Sequence, residues 1–285
     1  MSRIAYVNGQ YLPHAQARVG IEDRGYQFAD GVYEVCEVRG GRLVDEARHM
    51  ARLDRSLKEL RIGHPMAPSA LAVVMRETIR RNRVTDGIVY VQVTRGEMRR
   101  DFPFPPEGTR PSVVVTARSH DVARLEKQAA DGIAVITTPD LRWQRVDIKS
   151  VALLPNVLAK QAAREAGAKE AWMVDAKGYV TEGASSNAWI VSRDNRLITR
   201  ALGTGILPGI TRSVVIDLAR AQGLSFEERA FTVEEAYGAR EAFVTSASQI
   251  VMPVVAIDGR PVGNGAPGLI STALRRDFHG QAAFS

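Results

Sequence analysis

Lys149 stands where the sequence pattern changes from a strand-like run to a helix. After it, Leu154, Leu158 and Ala162 recur at helical spacing, and Gly167 stands where such a helix should end. A lysine at a strand–helix junction can point into a cleft, where its amine loses hydration and becomes a nucleophile able to form a Schiff base. A solvated surface lysine would produce the same local pattern, so Lys149 is a candidate that other residues must support.

A loop–helix junction, LPGITRS at residues 207–213, is the second candidate site. Gly209 allows the backbone to approach a ligand, and the amides of Ile210 and Thr211 would be unpaired at the start of a helix. Such amides bind phosphate, although Thr211 could equally serve as an ordinary helix cap. The segment has neither a Walker A motif nor a GxGxxG loop, so nucleoside triphosphates and NAD are not indicated.

Two kinds of charged residue complete the set of candidates. Glu182 follows a strand-like run and could pair with a protonated ring nitrogen, although an acid in a plain turn has the same surroundings. Arg99 and Arg100 lie in a proline-flanked loop, where an arginine can grip a carboxylate with two hydrogen bonds or simply be solvated. An amine, an acid, a phosphate cup and an arginine together suggest pyridoxal 5′-phosphate, although their spacing alone does not identify it.

The composition of the chain argues against several other classes of protein. It has 285 residues, of which 45% are hydrophobic, and a net charge of +6. Its arginines are spread along the chain among aspartates and glutamates, and this pattern does not indicate nucleic-acid binding. One cysteine, Cys36, and five scattered histidines predict neither a disulfide nor a metal site. A serine-hydrolase G-x-S-x-G motif is missing. No signal-like or membrane-spanning apolar run occurs, so the expected compartment is the cytoplasm.

The elements that would position these candidates fall into two mixed domains. A small N-terminal domain is predicted over 1–120, a polar connector over 121–131, and a larger C-terminal domain over 132–285. Periodicity and turn dipeptides predict, for the first domain, a hairpin at 4–12, strands at 32–39, 42–44, 87–96 and 111–119, and helices at 46–60 and 68–83. For the second they predict strands at 132–141, 171–183, 187–200, 241–248 and from 250, and helices near 211–221, after Thr232 and over 267–278.

Seven stretches of the chain carry a family resemblance: EDRGYQFADGVYEV (22–35), QVTRG (92–96), RWQRVDIKS (142–150), VLAKQAA (157–163), VTEGASSN (180–187), GITR (209–212) and FVTS (243–246). They resemble the fold type IV, or branched-chain-aminotransferase-like, pyridoxal-phosphate enzymes, and within these the D-amino-acid transaminase subgroup. The resemblance implies an α+β or α/β fold, with a small α/β N-terminal domain and a larger C-terminal pseudo-barrel domain.

The same resemblance implies a role for each matching residue. Lys149 would form the Schiff base and move a proton between the substrate Cα and the cofactor, and Glu182 would pair with the pyridine nitrogen. Other residues would contact the cofactor ring and phosphate: Arg52, Leu207, Gly209, Ile210, Thr211, Ser246 and Ser248. A third group would contact the substrate: Tyr33, Val35, Tyr90, Arg100, which would reach in from the partner subunit, and Phe102.

One residue departs from the pattern of the subgroup. A histidine is expected two residues after the loop arginine, and Phe102 stands there instead. The change removes a donor to the substrate carboxylate and adds an aromatic surface, while Asp101 adds negative charge and Arg99 could compensate for it. Because (R)-primary amines have no carboxylate, the departure leaves activity on such amines open.

The resemblance therefore implies a homodimeric transaminase, with its active site between the two domains. It would move an amino group from a D-amino acid, of the D-alanine or D-glutamate type, to a 2-keto acid by a ping-pong mechanism, with neither nucleic acid nor membrane as a partner. A 4-amino-4-deoxychorismate lyase and a branched-chain aminotransferase on the same fold stay open as alternatives. A further alternative is not an enzyme: a basic protein that binds anionic ligands without the cofactor.

Overall fold

The computed structural model describes residues 3–285 and groups them into two compact units. The first unit contains the described residues up to Asp121, together with Ile148–Ala152 and Ala283–Ser285. The second unit contains Val122–Asp147 and Leu153–Ala282. Lys149 thus belongs to the first unit, although the chain before and after its short segment belongs to the second.

The first unit is built on a six-stranded antiparallel sheet with the strand order β2-β1-β6-β5-β3-β4. Its strands are β1 (Ile4–Val7), β2 (Gln10–Pro13), β3 (Gly31–Arg39), β4 (Arg42–Leu43), β5 (Gly87–Thr94) and β6 (Ser112–Ser119). Its helices are α1 (Arg24–Phe28), α2 (Glu46–Glu59) and α3 (Pro68–Asn82). The strands and the two long helices were all predicted from the sequence, whereas the short helix α1 was not.

Alternation along β3 decides which side chains of the first unit are buried. Val32, Cys36 and Val38 lie in the core with residues of α2 and α3. Tyr33 and Val35 are only partly buried, because successive side chains of a strand point to opposite faces. One face of the central strands is thus committed to the core, and the other presents larger side chains that can contact a ligand.

The second unit is built on a nine-stranded mixed sheet with the path β12-β11-β10-β13-β14-β7-β8-β9, and β15 pairs with β14. Its strands are β7 (Ile133–Pro139), β8 (Glu170–Val174), β9 (Val180–Gly183), β10 (Asn187–Val191), β11 (Leu197–Thr199), β12 (Phe226–Glu228), β13 (Glu241–Ser246), β14 (Ile250–Ile257) and β15 (Arg260–Pro261). Its helices are α4 (Val122–Asp131), α5 (Leu154–Glu165), α6 (Ile210–Ala221), α7 (Val233–Tyr237) and α8 (Leu269–Gln281).

The sheet of the second unit curls back on itself. Strand β9 is the last of the path, yet the isolated bridge between Gly183 and Ser186 joins its end to the start of β10, which lies near the other end. Trp172 and Phe231 meet edge to face inside the curl, with ring centroids 5.9 Å apart. The observed mixed α/β architecture is the fold class predicted from the sequence.

Two local features differ from the sequence-based expectations. The segment predicted as a polar connector, 121–131, forms helix α4, whose Ala129 is buried in the core of the second unit. The run before Lys149 was read as strand-like but has no strand, and only Ser150 makes a β-bridge, with Val32. Among the described residues, no helix is both long enough and apolar enough to cross a membrane.

Helix α5 buries small residues and exposes large ones. Its buried residues are Ala159 and Ala163, whereas Leu154, Val157 and Leu158 are exposed. The helix was predicted correctly from the spacing of its residues. Small alanines allow α5 to pack closely on β8, which leaves the larger side chains in the solvent.

Candidate active site

Lys149 is held in the first unit by its own backbone. Its carbonyl accepts a hydrogen bond from the Tyr33 amide at 2.9 Å, and its amide donates to the Ser56 hydroxyl at 3.3 Å. Its Nζ lies 4.1 Å from the centroid of the Tyr33 ring. The segment that carries the lysine is therefore fixed to β3, and its amine lies on the face of an aromatic ring.

Three residues predicted to line a substrate pocket share one face of β3 and β5. The strand register places Val35 opposite Tyr90, and the rings of Tyr33 and Tyr90 stack with centroids 5.6 Å apart. Burial, and next to it the neighbouring Tyr33, raises the pKa of Tyr90 above its usual range, so its hydroxyl stays protonated and donates to Gln92 at 2.7 Å. The structure therefore brings Lys149, Tyr33, Val35 and Tyr90 together.

Arg52 of α2 is engaged by a buried acid that the sequence analysis did not identify. Its Nε and Nη2 donate to the two carboxylate oxygens of Glu34 at 2.7 and 2.8 Å, and His49 Nδ1 lies 2.8 Å from the same carboxylate. Glu34 is on β3 and is 0% exposed. This pairing orients the guanidinium of Arg52, and the phosphate-binding role of Arg52 stays a prediction.

The charges in this network depend on one another. Burial alone would raise the pKa of Glu34, but the charge and hydrogen bonds of Arg52, followed by His49, bring it well below its ordinary value. Burial lowers the pKa of His49 despite the hydrogen bond to Glu34. An ionised Glu34 paired with Arg52 and a neutral His49 is the charge state that follows at neutral pH.

The loop predicted to bind the substrate carboxylate lies in the first unit. The guanidinium of Arg100 lies 4.5 Å from the centroid of the Phe28 ring, and the rings of Phe28 and Phe102 are 5.5 Å apart. Phe102 is 80% exposed. Arg100 and Phe102 are thus neighbours on one surface, with the ring of Phe28 between them.

In the second unit, Glu182 is buried at the end of β9 and surrounded by donors. It forms an ion pair with Arg142 and accepts a hydrogen bond from the Asn187 side chain at 2.8 Å. The backbone amide of Leu207 points at both carboxylate oxygens, at 3.2 Å each. These partners fix the orientation of Glu182.

Arg142 links Glu182 to a second acid. It grips the carboxylate of Asp140 with Nε at 2.9 Å and Nη2 at 2.8 Å, and Thr181 also donates to Asp140, at 2.7 Å. Burial would lower the pKa of Arg142, but the hydrogen bond to Asp140 and the charges of Glu182 and Asp140 raise it. The arginine therefore stays charged between two carboxylates.

The start of α6 lies next to this acid cluster. A Cβ built on Gly209 would lie 2.0 Å from Asn187 Oδ1, so only glycine fits here. Gly209 is the N-cap, and within residues 3–285 no side chain caps this helix, which leaves the amides of Ile210 and Thr211 directed at the space before it. Such uncapped amides form an anion site.

The remaining predicted residues of the second unit, Ser246 and Ser248, lie near the cluster around Glu182 but have no contact with it among the hydrogen bonds described above. Ser246 ends β13, and its hydroxyl lies 3.5 Å from that of Ser248. The register pairs Thr245 with Asn187, so Ser246 is one residue from the strand pair that carries the acid cluster. The predicted site residues therefore form two groups, one in each unit.

Several functional candidates were missed by the sequence analysis: Glu34, His49, Asp140, Arg142 and Asn187. A signal existed for Glu34, because it occupies a position of β3 whose neighbours of the same parity, Val32 and Cys36, are apolar. A charge at a buried position requires a partner. For Arg142 and Asn187, no local pattern indicates that they meet the same carboxylate.

Comparison with known proteins agrees with this geometry. Residues 31–257 match the model of the family described as amino-transferase class IV. A D-alanine aminotransferase from Bacillus licheniformis is 41% identical over 280 residues, which cover 97% of each chain. A second D-alanine aminotransferase, from Staphylococcus haemolyticus, is 38% identical over 275 residues and 96% of each chain.

Branched-chain amino acid aminotransferases are among the solved structures that resemble this chain. The Escherichia coli enzyme superposes with a TM-score of 0.89 at 25% identity, over 98% of this chain and 94% of that one. The T.th. enzyme with pyridoxamine 5′-phosphate superposes with a TM-score of 0.90 at 26% identity, over 98% and 93% of the two chains. The similarity in fold extends along nearly the entire chain.

We expect Glu34→Gln to destabilise the protein by about 3 kcal/mol at pH 7, because it leaves the buried Arg52 without a counter-charge. The pKa of Glu34 is lower in the folded protein than its ordinary value of 4.5. Its stabilising contribution is therefore complete above that value and is lost as the pH falls towards the folded pKa. Urea unfolding between pH 3 and 7 measures both effects.

The matched control for this prediction is Glu77→Gln, which removes an exposed carboxylate paired with Arg80 and Arg81. Solvent screens that pair, so the control should unfold at nearly the wild-type urea concentration. Parallel curves of stability against pH for wild type and Glu34→Gln would contradict the expected role of Glu34.

We expect Gly209→Ala to destabilise the protein by about 1–3 kcal/mol, because the new methyl group displaces Asn187 from Glu182. Gly203→Ala is the control, since a Cβ at Gly203 meets nothing within 4 Å. Urea unfolding followed by circular dichroism compares the two variants. Equal unfolding midpoints for both would show that Gly209 is not required for close packing.

Proposed function

Because the chain belongs to the amino-transferase class IV family, we propose how its residues transfer an amino group from a D-amino acid to a 2-keto acid. The observation that carries the choice of donor is the 41% identity to a D-alanine aminotransferase over 97% of each chain. The branched-chain alternative has less support, because the branched-chain enzymes described above are 25% and 26% identical to this chain.

The cofactor that we propose is pyridoxal 5′-phosphate, and the residues of the chain fit it. The uncapped amides of Ile210 and Thr211 suit its phosphate, and the close approach at Gly209 leaves no side chain in the way. The buried carboxyl group of Glu182 suits a ring nitrogen, and Lys149 provides a primary amine. When bound, this cofactor accepts the electrons released at the substrate Cα.

Each side chain then has a defined task in our proposal. Lys149 would hold the cofactor through its Nζ and would carry the proton to and from the substrate Cα. Glu182 would pair with the ring nitrogen, and the ion pair with Arg142 would hold the carboxylate of Glu182 in position. Leu207 would pack against the ring, and Ser246, Ser248 and Arg52 would support the phosphate.

The substrate would be held by residues of the first unit. Tyr33, Val35 and Tyr90 form one face of the sheet, which suits a small side chain, and Tyr33 lies beneath Lys149. Arg100, reaching in from the partner subunit, is proposed to bind the carboxylate. The exposed ring of Phe102 beside it supports a second candidate activity, on (R)-primary amines, because an aromatic surface needs no carboxylate.

We further propose that the active form is a homodimer. Helix α5 exposes Leu154, Val157 and Leu158 on one face, and a contiguous apolar surface of this kind favours contact with a second copy. Sedimentation equilibrium should give twice the mass of one chain. Leu158→Glu should shift the protein towards monomer, whereas Leu269→Glu, at another exposed leucine, should not. A monomeric wild-type protein would contradict the proposal.

To test the proposed function, the protein is first loaded with pyridoxal phosphate. It is then incubated with 2-oxoglutarate and each of a panel of amino donors. D-Alanine should give D-glutamate, (R)-1-phenylethylamine should give a slower reaction, and L-leucine should give the least. Lys149→Ala should reduce the rate by about 100- to 10,000-fold, because the proton carrier is lost. Lys177→Ala, an exposed lysine in the β8–β9 turn, is the control and should retain wild-type activity.

Other outcomes of this panel have defined meanings. L-Leucine as the best donor would refute the D-amino-acid assignment. Release of pyruvate from 4-amino-4-deoxychorismate without formation of D-glutamate would identify a lyase. Full activity of Lys149→Ala would refute the role of the lysine, whereas purified protein that neither absorbs as a pyridoxal adduct nor gains activity with the cofactor would refute the cofactor itself.

A further inference from the structure

The loop that carries Arg100 and Phe102 contains neither helix nor strand. Between residues 97 and 110 it contains three prolines, Pro103, Pro105 and Pro106, which have no N–H to donate. The side chains of residues 99–104 are exposed. Such a segment presents carbonyl groups that need donors from elsewhere, and without them its side chains would have no fixed position.

A single buried guanidinium provides those donors. Arg24 is 4% exposed, and its Nη1 donates to the carbonyls of Asp101 at 2.7 Å and Pro103 at 3.2 Å. Its Nη2 donates to the carbonyl of Phe102 at 3.2 Å. Arg24 therefore binds three consecutive carbonyls of the loop, immediately after Arg100.

Arg24 is itself held on all sides. Its Nε donates to Asp30 at 2.9 Å, its backbone amide donates to the Gly96 carbonyl at 2.9 Å, and its guanidinium lies 4.8 Å from the centroid of Phe28. The guanidinium of Arg100 also packs on the ring of Phe28, 4.5 Å from its centroid. One aromatic ring thus contacts both the anchoring arginine and the arginine proposed to bind substrate.

Asp30 joins this anchor to a second arginine. Arg95 donates to both oxygens of Asp30, at 2.7 and 3.0 Å, and its guanidinium lies 3.7 Å from the centroid of Phe104 further along the loop. Burial would raise the pKa of Asp30, but hydrogen bonds from Arg95 and Arg24 hold it below its ordinary value. The loop is therefore fixed at two points by arginines that share one carboxylate.

We propose that Arg24 is a positioning residue for substrate selection: by binding the carbonyls of Asp101, Phe102 and Pro103, it sets where Arg100 and Phe102 meet the donor. This inference rests on the proposed function in assigning the substrate carboxylate to Arg100. Arg24 touches neither substrate nor cofactor in this role. Because it recognises backbone and not side chains, it fixes the path of the loop whatever residue stands at position 102.

The first test does not use activity. Arg24→Lys keeps the charge but cannot span three carbonyls and Asp30, so the loop should be released. Trypsin should then cleave after Arg99 or Arg100 about tenfold faster than in wild type, with and without added pyridoxal phosphate. Arg42→Lys is the matched control, because Arg42 also donates to a backbone carbonyl and lies on a phenylalanine ring, both of Phe284.

The second test separates positioning from general structural support. For Arg24→Lys we expect the KM for D-alanine to rise about tenfold with kcat within about threefold, and the KM for (R)-1-phenylethylamine to stay within about twofold. In an Arg100→Lys background, Arg24→Lys should add no further loss for D-alanine, because it acts through Arg100. Equal losses for both donors, or additive losses in the double variant, would overturn the proposal.

A second variant keeps the inference testable if Arg24→Lys does not fold. Phe28→Leu leaves every hydrogen bond of Arg24 and removes the ring beneath Arg100, so it should raise the KM for D-alanine by a smaller factor, about threefold. Unchanged proteolysis and an unchanged KM in both variants would refute the anchor while D-glutamate is still formed. A wild type inactive on D-amino acids, with faster cleavage of Arg24→Lys, would refute the proposed function instead.

Discussion

A carboxylate removed from water needs a positive partner, and this requirement shapes the candidate site of the chain at three places. Glu34 is paired with Arg52, Asp30 with Arg24 and Arg95, and Glu182 with Arg142. The energy of such pairs is small in net terms, but breaking one leaves an uncompensated charge, so each fixes the position of its arginine. Arg52, which was predicted to bind the phosphate, is in such a pair. Arg100, which was predicted to bind the substrate, contacts the same Phe28 ring as the paired Arg24.

The pair in the sheet of the first unit and the pair in the second unit differ in what they position. The pair of Glu34 and Arg52 joins a strand to a helix beneath the sheet face that carries Tyr33 and Lys149, and the cluster of Glu182 and Arg142 joins β9 to the segment before α6. In both, the acid is held by hydrogen bonds from fixed backbone or side-chain donors. Little reorganisation is then needed when charge develops on a ligand, which is the condition for effective electrostatic stabilisation.

Elements that depend on a local sequence pattern were predicted correctly. Contacts between segments that are distant in sequence were not predicted. Strands such as β3 and β5 follow from alternation, and the turn at Gly40–Gly41 from two glycines with positive φ. Helix α4 was missed because the segment is mostly polar and buries only Ala129, so its composition resembled that of a connector. The site residues were identified by resemblance, whereas Arg142 and Asn187 act through contacts between segments distant in sequence, which no local pattern encodes.

Anchoring of the loop through its carbonyls has a consequence for specificity. Because Arg24 binds the main chain of residues 101–103, the side chain at position 102 can be exchanged without moving Arg100. A phenylalanine in place of a histidine then changes only the surface that the donor meets, from a hydrogen-bonding group to an exposed aromatic ring against Phe28. Had a side chain of the loop formed the anchor, the same replacement would have displaced the arginine as well. If Arg100 binds the carboxylate as proposed, the fold separates the position of that group from the chemistry beside it, and specificity can change one residue at a time.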